Sequence, residues 1–436
     1  MSARETALKV LIACRKEGAW SNSMLKTALS RDQLDRRDAA LATRLCYGVL
    51  QNRNALDFYL KQLLTGRPKD LHPAAHDVLH LGLYQLLYMD KIPDAAAVNE
   101  SVALAKKYCK GVSNAPGLIN GVLRNAVRRM SSLEQPTSLS ERYSHPEGLI
   151  QLFRGYLGEE KLEAMLKANN EAPETVIQVN TQKTTADALL VRLEQEGASA
   201  RKHSWMENCL ILSSAGSMEK LGAFRDGEFY VQDAAARLSV DCAGIQPGDT
   251  VVDCCAAPGG KSFAAALALQ NKGKIFASDL HGHRVQLIEK GAQRLGMETV
   301  TAFQRDASQS WDAMEGKADV VLVDVPCSGY GIIRKKPDIR YKDPDAMKEL
   351  PGLQLQILNS QAKLVKPGGV LIYSTCTLVR RENEGVVEKF LKAHEDFALE
   401  NMPLPAVFPE ENDGMLRLLP GEYDTDGFFI SRLRRK

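Results

Sequence analysis

The stretch TVVDCCAAPGGK, residues 250–261, decides the fold. Its first half is β-branched and apolar and reads as a buried strand. Its second half is a proline–glycine turn, after which a helical stretch begins near Ser262. Strand-like runs recur downstream at KIFASD (274–279), VTAFQRDA (300–307), DVVLVDV (319–325) and GVLIYST (369–375), with helical stretches between them. Such alternation implies an α/β domain over 233–436 with a parallel, doubly wound sheet. Ligands of such sheets sit beyond the carboxyl ends of the strands.

The turn after the first strand is the candidate cofactor loop: Cys255, Ala256, Ala257, Pro258, Gly259, Gly260 and Lys261. Glycines there let a ligand approach backbone N–H groups at a helix N-terminus, which suits an anion or a carboxylate. Asp279 ends the second strand 20 residues after Gly259, where an acid can reach ribose hydroxyls. Asp306 ends the third and can accept from an adenine amine. Together they describe an adenosine-bearing cofactor. The loop lacks GxGxxG, which disfavours a dinucleotide, and lacks GxxxxGK[ST], so the P-loop reading fails. S-adenosylmethionine, whose tail is a short amino acid instead of phosphates, fits better.

Two more strands end on cysteine motifs, DVPCSGYG (324–331) and YSTCT (373–377). Singly, each cysteine reads as a small buried hydrophobe. Two of them at ligand-side strand ends beside Asp324 point to chemistry. A cytosine C5 carbon is too weak a nucleophile to attack a sulfonium methyl. A thiolate that adds to C6 pushes electron density onto C5, an acid at N3 assists, and the C5 proton must then be removed. Asp324, Cys327 and Cys376 supply that inventory. Cys254 points away from the loop and reads as packing, as do Cys14, Cys46, Cys109, Cys209 and Cys242. His281 and His283 lack further ligands at suitable spacing, so no metal site is expected.

The remaining chain is organised in three parts. Residues 1–130 form an all-α domain with apolar stripes such as Ala7, Leu8, Leu11 and Ile12, behind a capping-box spacing of Ser2 and Glu5. Residues 131–148 are polar, bear proline and read as a linker. Residues 149–232 open with one more helical segment and then give strand, helix, strand, strand, helix, strand, a small α+β module. It is either an RNA-recognition sheet, with only Trp205 and Tyr230 to stack on bases, or a spacer. The net charge of +2 conceals an asymmetry: residues 1–130 hold 20 Lys+Arg against 11 Asp+Glu, or +9, leaving −7 for the remainder. That block can dock on a polyanion or simply be solvated. No run of about 18 apolar residues is present to span a bilayer. Nine cysteines without a CxxC pair suggest reduced thiols. A cytoplasmic monomer is expected.

CAAPGGK, DVPCSG and YSTCT followed by Glu382-Asn383 resemble the cofactor loop and two cysteine motifs of RNA cytosine-C5 methyltransferases. VNESVALAK (98–106), LINGVLRNAV (118–127) and the closing DGFFISRL (426–433) resemble the small-subunit ribosomal RNA methyltransferase B family, in which a NusB-like domain precedes a Rossmann-like class I catalytic domain. The resemblance covers nearly the whole chain. It implies methylation of a cytidine in 16S ribosomal RNA, with Cys376 as nucleophile, Cys327 assisting elimination and release, Asp324 at N3 and Lys261 orienting the site. Residues 255–261 with Asp279, Asp306 and Asp324 would hold S-adenosylmethionine. Ser262 and Tyr330 stand where threonine is more usual, and Arg380-Arg381 where a proline is common. Arg334, Lys335, Lys336 and Arg340, in an expected loop, would grip phosphates beside an extruded base, as would Arg124 and Arg128 on the helical domain. Transfer RNA or large-subunit RNA as substrate, a non-catalytic RNA-binding factor, and a nicotinamide oxidoreductase are the rival readings.

Overall fold

The computed structural model describes residues 1–17, 20–112, 114–214, 218–342 and 347–436. They form two compact units. The first runs from Met1 to Glu171 and takes in a later segment that begins at Ile333 and includes the tight turn Pro337–Tyr341. The second begins at Ala172 and holds the rest.

Helices α1 (Ala3–Glu17), α2 (Ser21–Asp32), α3 (Arg36–Gln51), α4 (Arg53–Leu63), α5 (Pro73–Tyr88), α6 (Asp94–Tyr108) and α7 (Ala115–Arg129) build the core of the first unit. The short α8 (Leu139–Arg142), α9 (Glu147–Arg154) and α10 (Glu159–Ala168) follow. Ser2 caps α1 as its spacing suggests, its Oγ accepting from the Glu5 N–H at 3.3 Å. The Glu5 carboxylate instead accepts from Lys107 Nζ and Tyr108 Oη on α6, each at 2.5 Å, and so pins one helix to the other. Helix α5 is buried almost all round, with Val78, Leu79, Leu81 and Leu83 at 0% exposure and Asp77, His80 and Gln85 buried as well. Each of the four apolar side chains contributes about 1.5–3 kcal/mol.

Two expectations change here. The stretch 131–148 is folded, not a free linker. Leu133 is buried, Tyr59 Oη donates to Gln135 Oε1 at 2.8 Å, and Ser144 Oγ accepts from the Ala55 N–H at 3.1 Å. Its anchors are polar, so an apolar period could not reveal them. Residues 149–171 belong to the first compact unit, and the first strand of the α+β module begins at Thr175.

The second change concerns Arg340, expected at a phosphate. It is 1% exposed. Its Nη1 donates to the carbonyls of Gln51, Tyr143 and Ser144 at 3.2 Å each and to Asn170 Oδ1 at 2.8 Å, while Nη2 donates to the Asn169 carbonyl at 3.3 Å. Burial draws its pKa down to about 10, so it stays charged at neutral pH. Nearby, Asp338 accepts from Ser21 Oγ at 2.6 Å and from the Ser21 N–H at 3.4 Å, capping α2 from 317 residues away. The segment is a structural plug in the helical unit.

In the second unit, β1 (Thr175–Val179), α11 (Ala186–Gln195), β2 (Ser199–Lys202), β3 (Cys209–Ser214), α12 (Gly222–Arg225) and β4 (Phe229–Val231) make the small module. Its antiparallel sheet has the order β2-β3-β1-β4, the ferredoxin-like arrangement. Neither aromatic considered for stacking is available for it. Tyr230 is buried edge-on to Phe263, and Trp205 donates its Nε1 proton to the Tyr423 carbonyl at 2.8 Å while packing on Phe408.

After α13 (Ala234–Asp241) comes the main sheet: β5 (Thr250–Cys254), α14 (Gly260–Ala268), β6 (Lys274–Asp279), α15 (Gly282–Leu295), β7 (Val300–Gln304), β8 (Ala318–Asp324), α16 (Leu350–Ala362) and β9 (Val365–Thr375). Then follow α17 (Glu384–Ala393), β10 (Phe397–Leu399), β11 (Met415–Leu418) and β12 (Phe428–Arg435). The order β10-β12-β9-β8-β5-β6-β7 is parallel from β9 to β7, with β12 antiparallel beside β9 and β11 paired to β12. Strand alternation divides the core. Val251, Val320, Leu322 and Ile372 pack with α13–α15, whereas Val252, Val321, Val323 and Tyr373 pack with α16 and α17.

Candidate active site

The site forms where β8, β9 and β5 end together. Asp324 and Ser374 are register partners on β8 and β9. Ser374 Oγ therefore reaches Asp324 Oδ1 at 2.9 Å, and Lys261 at the start of α14 places Nζ 2.8 Å from Asp324 Oδ2. The lysine is 8% exposed, with its ammonium 5.1 Å from the Phe428 ring centroid. Cys327 follows Asp324 by three residues and Cys376 follows Ser374 by two, which brings the two sulfurs to 3.3 Å. Strand register, the short loops after β8 and β9 and the start of α14 together assemble the four expected catalytic side chains.

A buried polar frame holds both cysteine loops. Glu382 is fully buried, and its Oε2 accepts from the Ser328 N–H at 2.9 Å and from Gln354 Nε2 at 3.0 Å. Gln354 also donates to the Pro326 carbonyl at 2.9 Å. Asn383 donates to the Thr377 carbonyl at 3.0 Å and accepts from Thr375 Oγ1 at 2.6 Å. The Gly331 N–H donates to the Cys376 carbonyl at 2.9 Å, and the Gly427 N–H to the Gly331 carbonyl at 2.8 Å. A Cβ on Gly331 would stand 2.0 Å from the Gly427 oxygen, so only glycine fits there. Hydrogen bonding to Cys376, then burial, with Glu382 and Asp324 adding repulsion, pushes the Cys327 thiol well above its ordinary range.

Sequence reasoning passed over Asp253 on β5. It is fully buried, with Oδ2 accepting from Ser262 Oγ at 2.6 Å and no partner at Oδ1. Burial lifts its pKa to about 7 against the pull of Ser262 and Lys261, with Asp324 pushing the same way as burial. An acid inside the run TVVDCC was the available signal.

The cofactor loop fits a small charged ligand tail. Gly259 has φ +111°, and a Cβ there would strike the Phe263 ring at 2.4 Å, so the backbone ahead of α14 stays bare. Asp279 lies 1% exposed beneath the loop and accepts from the Ala257 N–H at 3.3 Å, the His281 N–H at 3.2 Å and Arg284, whose Nη1 is 3.1 Å from Oδ2. It ties the loop to β6. Asp306 is exposed beyond β7, its Oδ1 accepting from the Ser308 N–H and Oγ at 2.8 and 2.7 Å; the Ser308 bonds hold its carboxyl below the usual range. Of the expected phosphate ligands in the later segment, Arg334 is buried, like Arg340, and Lys335 and Lys336 are half-buried. Arg124 and Arg128 are exposed on α7, lining a cavity of about 440 Å³ with Asp94 and Asn99 of α6.

A parallel sheet with this cofactor loop and these strand-end side chains defines a Rossmann-like, S-adenosylmethionine-dependent methyltransferase. Family models agree: residues 243–434 match 16S rRNA methyltransferase RsmB/F, residues 1–128 the NusB family, and residues 145–219 the RsmF/B-like, ferredoxin-like domain. The "Probable ribosomal RNA small subunit methyltransferase B" of Bacillus subtilis (strain 168) is 38% identical over 446 residues, covering 100% of this chain and 99% of the relative. The chain belongs to the ribosomal RNA small subunit methyltransferase B family. Among solved structures, "Crystal Structure of PH0851" superposes with a TM-score of 0.81 at 26% identity, covering 100% of this chain and 99% of that one. The NSun6 structure from Pyrococcus horikoshii with SFG shares the fold at 23% identity and a TM-score of 0.60, over 66% of this chain and 98% of that one.

Proposed function

We propose that this chain methylates C5 of a cytidine in 16S ribosomal RNA through a covalent bond between Cys376 and C6. The reading rests above all on the 3.3 Å dithiol beside the Lys261–Asp324 pair. When bound, S-adenosylmethionine supplies an electrophilic methyl group. The Cys376 thiolate adds to C6, and the electron pair of the C5–C6 double bond moves toward C5. Asp324, held by Lys261 and Ser374, meets N3 and acts there as the acid, giving a proton that neutralises the charge pushed into the ring. Once C5 carries the methyl, a base takes the C5 proton, the double bond re-forms and the C6–S bond breaks. Cys327 assists that release, with its proton beside the departing sulfur. The residues at 255–261 with Asp279 and Asp306 would hold the cofactor, and Lys335, Lys336, Arg124 and Arg128 would meet RNA phosphates. The rRNA assignment draws on the name of the Bacillus subtilis relative.

Cys376→Ala should abolish both methyl transfer and any denaturant-stable protein–RNA adduct, whereas Cys327→Ala should let the adduct accumulate. The opposite pattern would exchange the two roles. Small-subunit RNA, large-subunit RNA and transfer RNA assayed side by side with labelled S-adenosylmethionine decide the substrate. Label that enters only transfer RNA or large-subunit RNA sinks the 16S reading.

A further inference from the structure

The helical unit contains a polar cluster that methyl transfer does not use. His76 and His80 lie one turn apart on α5, and Asp57 faces them from α4. Both imidazoles aim Nε2 at the same oxygen, Asp57 Oδ1, at 2.7 and 2.9 Å. The three donor atoms lie within 4.8 Å of one another, and the rings are 4.0 Å apart at 53°. Two imidazoles at i, i+4 with one carboxylate are the donor set of an open zinc-type site, in which a fourth position takes water.

The surroundings suit a cation. His80 is buried, and His76 and Asp57 are half-buried, so little competing water surrounds the donor atoms. Burial raises the Asp57 carboxyl, but hydrogen bonds from His76 and His80 outweigh it and hold the group below the ordinary range. A cavity of about 540 Å³, lined by Asn54, Asp57, His76 and Ser140 among others, gives access and room for a water ligand. The cations on its rim are offset: Lys61 pairs with Glu141 at 3.4 Å and Arg67 with Asp70 at 2.9 Å.

We propose that Asp57 Oδ1, His76 Nε2 and His80 Nε2 bind one divalent cation of the zinc class, with water completing the shell. On binding, the Nε2 proton that each ring directs at Asp57 must move to Nδ1, which frees the Nε2 lone pair for the ion. The ion ties α4 to α5 and stabilises the unit in proportion to its occupancy.

The test is titration of the full-length protein with Co²⁺ and Zn²⁺. One equivalent of Co²⁺ should give weak visible bands of a nitrogen and oxygen site, without the intense near-ultraviolet thiolate band, and Zn²⁺ should displace it and raise Tm. His76→Gln and Asp57→Asn should each weaken binding about tenfold or more, with circular dichroism confirming that the metal-free variants are folded. No binding up to millimolar Zn²⁺, affinity unchanged in both folded variants, or a thiolate band that reports Cys327 and Cys376 as ligands would each overturn the proposal. Should a variant unfold, the wild-type cobalt spectrum alone decides.

Discussion

Buried charge does different work in the two units. In the helical unit Arg340 spreads its Nη protons over five acceptors, and Asp57 takes two imidazole bonds on one oxygen. At the strand ends of the catalytic sheet, Asp253 and Glu382 are equally buried, yet Oδ1 of the first and Oε1 of the second have no hydrogen-bond partner. Arg340 leaves its Nε without a partner too, so an open buried polar atom does not by itself tell the two units apart. The difference lies in what the charges hold: Arg340 gathers backbone carbonyls, whereas Glu382 binds the cysteine loop at Ser328 and Asp253 lies beside Lys261 and Asp324.

The sharpest way to break this contrast is Arg340→Ala. It should cost about 3–5 kcal/mol in urea unfolding, because five acceptors lose a buried guanidinium bond, although the Tyr143 and Ser144 carbonyls keep other donors. Unchanged unfolding would mean the plug is dispensable. Asp253→Asn comes next and should act in the opposite sense. The native pKa of about 7 lies above the unfolded value, so the wild type loses stability as pH rises from about 4 to 7, and the loss stays constant above that. The amide removes this slope, giving a gain relative to wild type at pH 8 on the order of 2–4 kcal/mol compared with pH 4. Denaturation curves at the two pH values check it.

Glu382→Ala tests the polar frame. Loss of the acceptor for Ser328 and Gln354 should let the Cys327 loop shift and lower kcat about 10–100-fold with little change in the KM for S-adenosylmethionine. The smallest effect is expected from Arg124→Ala, which should reduce the salt dependence of RNA binding by about one phosphate contact and leave kcat intact.

Much of this was legible in the chain because it is written locally. Strand and helix alternation gave the parallel sheet, and Asp324, Cys327, Cys376 and Lys261 each sit next to a strand end that sequence can locate. What escaped depends on distant partners. Arg340 follows a turn among other cations and looks solvated; only Gln51, Tyr143, Ser144, Asn169 and Asn170, far away in sequence, make it structural. The antiparallel strands β10 and β11 are three and four residues long, too short for a pattern. Asp57 belongs to a different helix from His76 and His80, so no spacing rule connects them, whereas His281 and His283 are neighbours in sequence and their rings merely stack at 5.6 Å.

The Pro337–Tyr341 plug makes the two units inseparable as genetic modules. A clone cut at the obvious border after Glu171 would leave α2 without the acid that caps it and leave a set of inward carbonyls facing a hole. Recombination that exchanged either half for that of a distant cousin would have to carry this short insertion along with the helices, not with the enzyme half that encodes it.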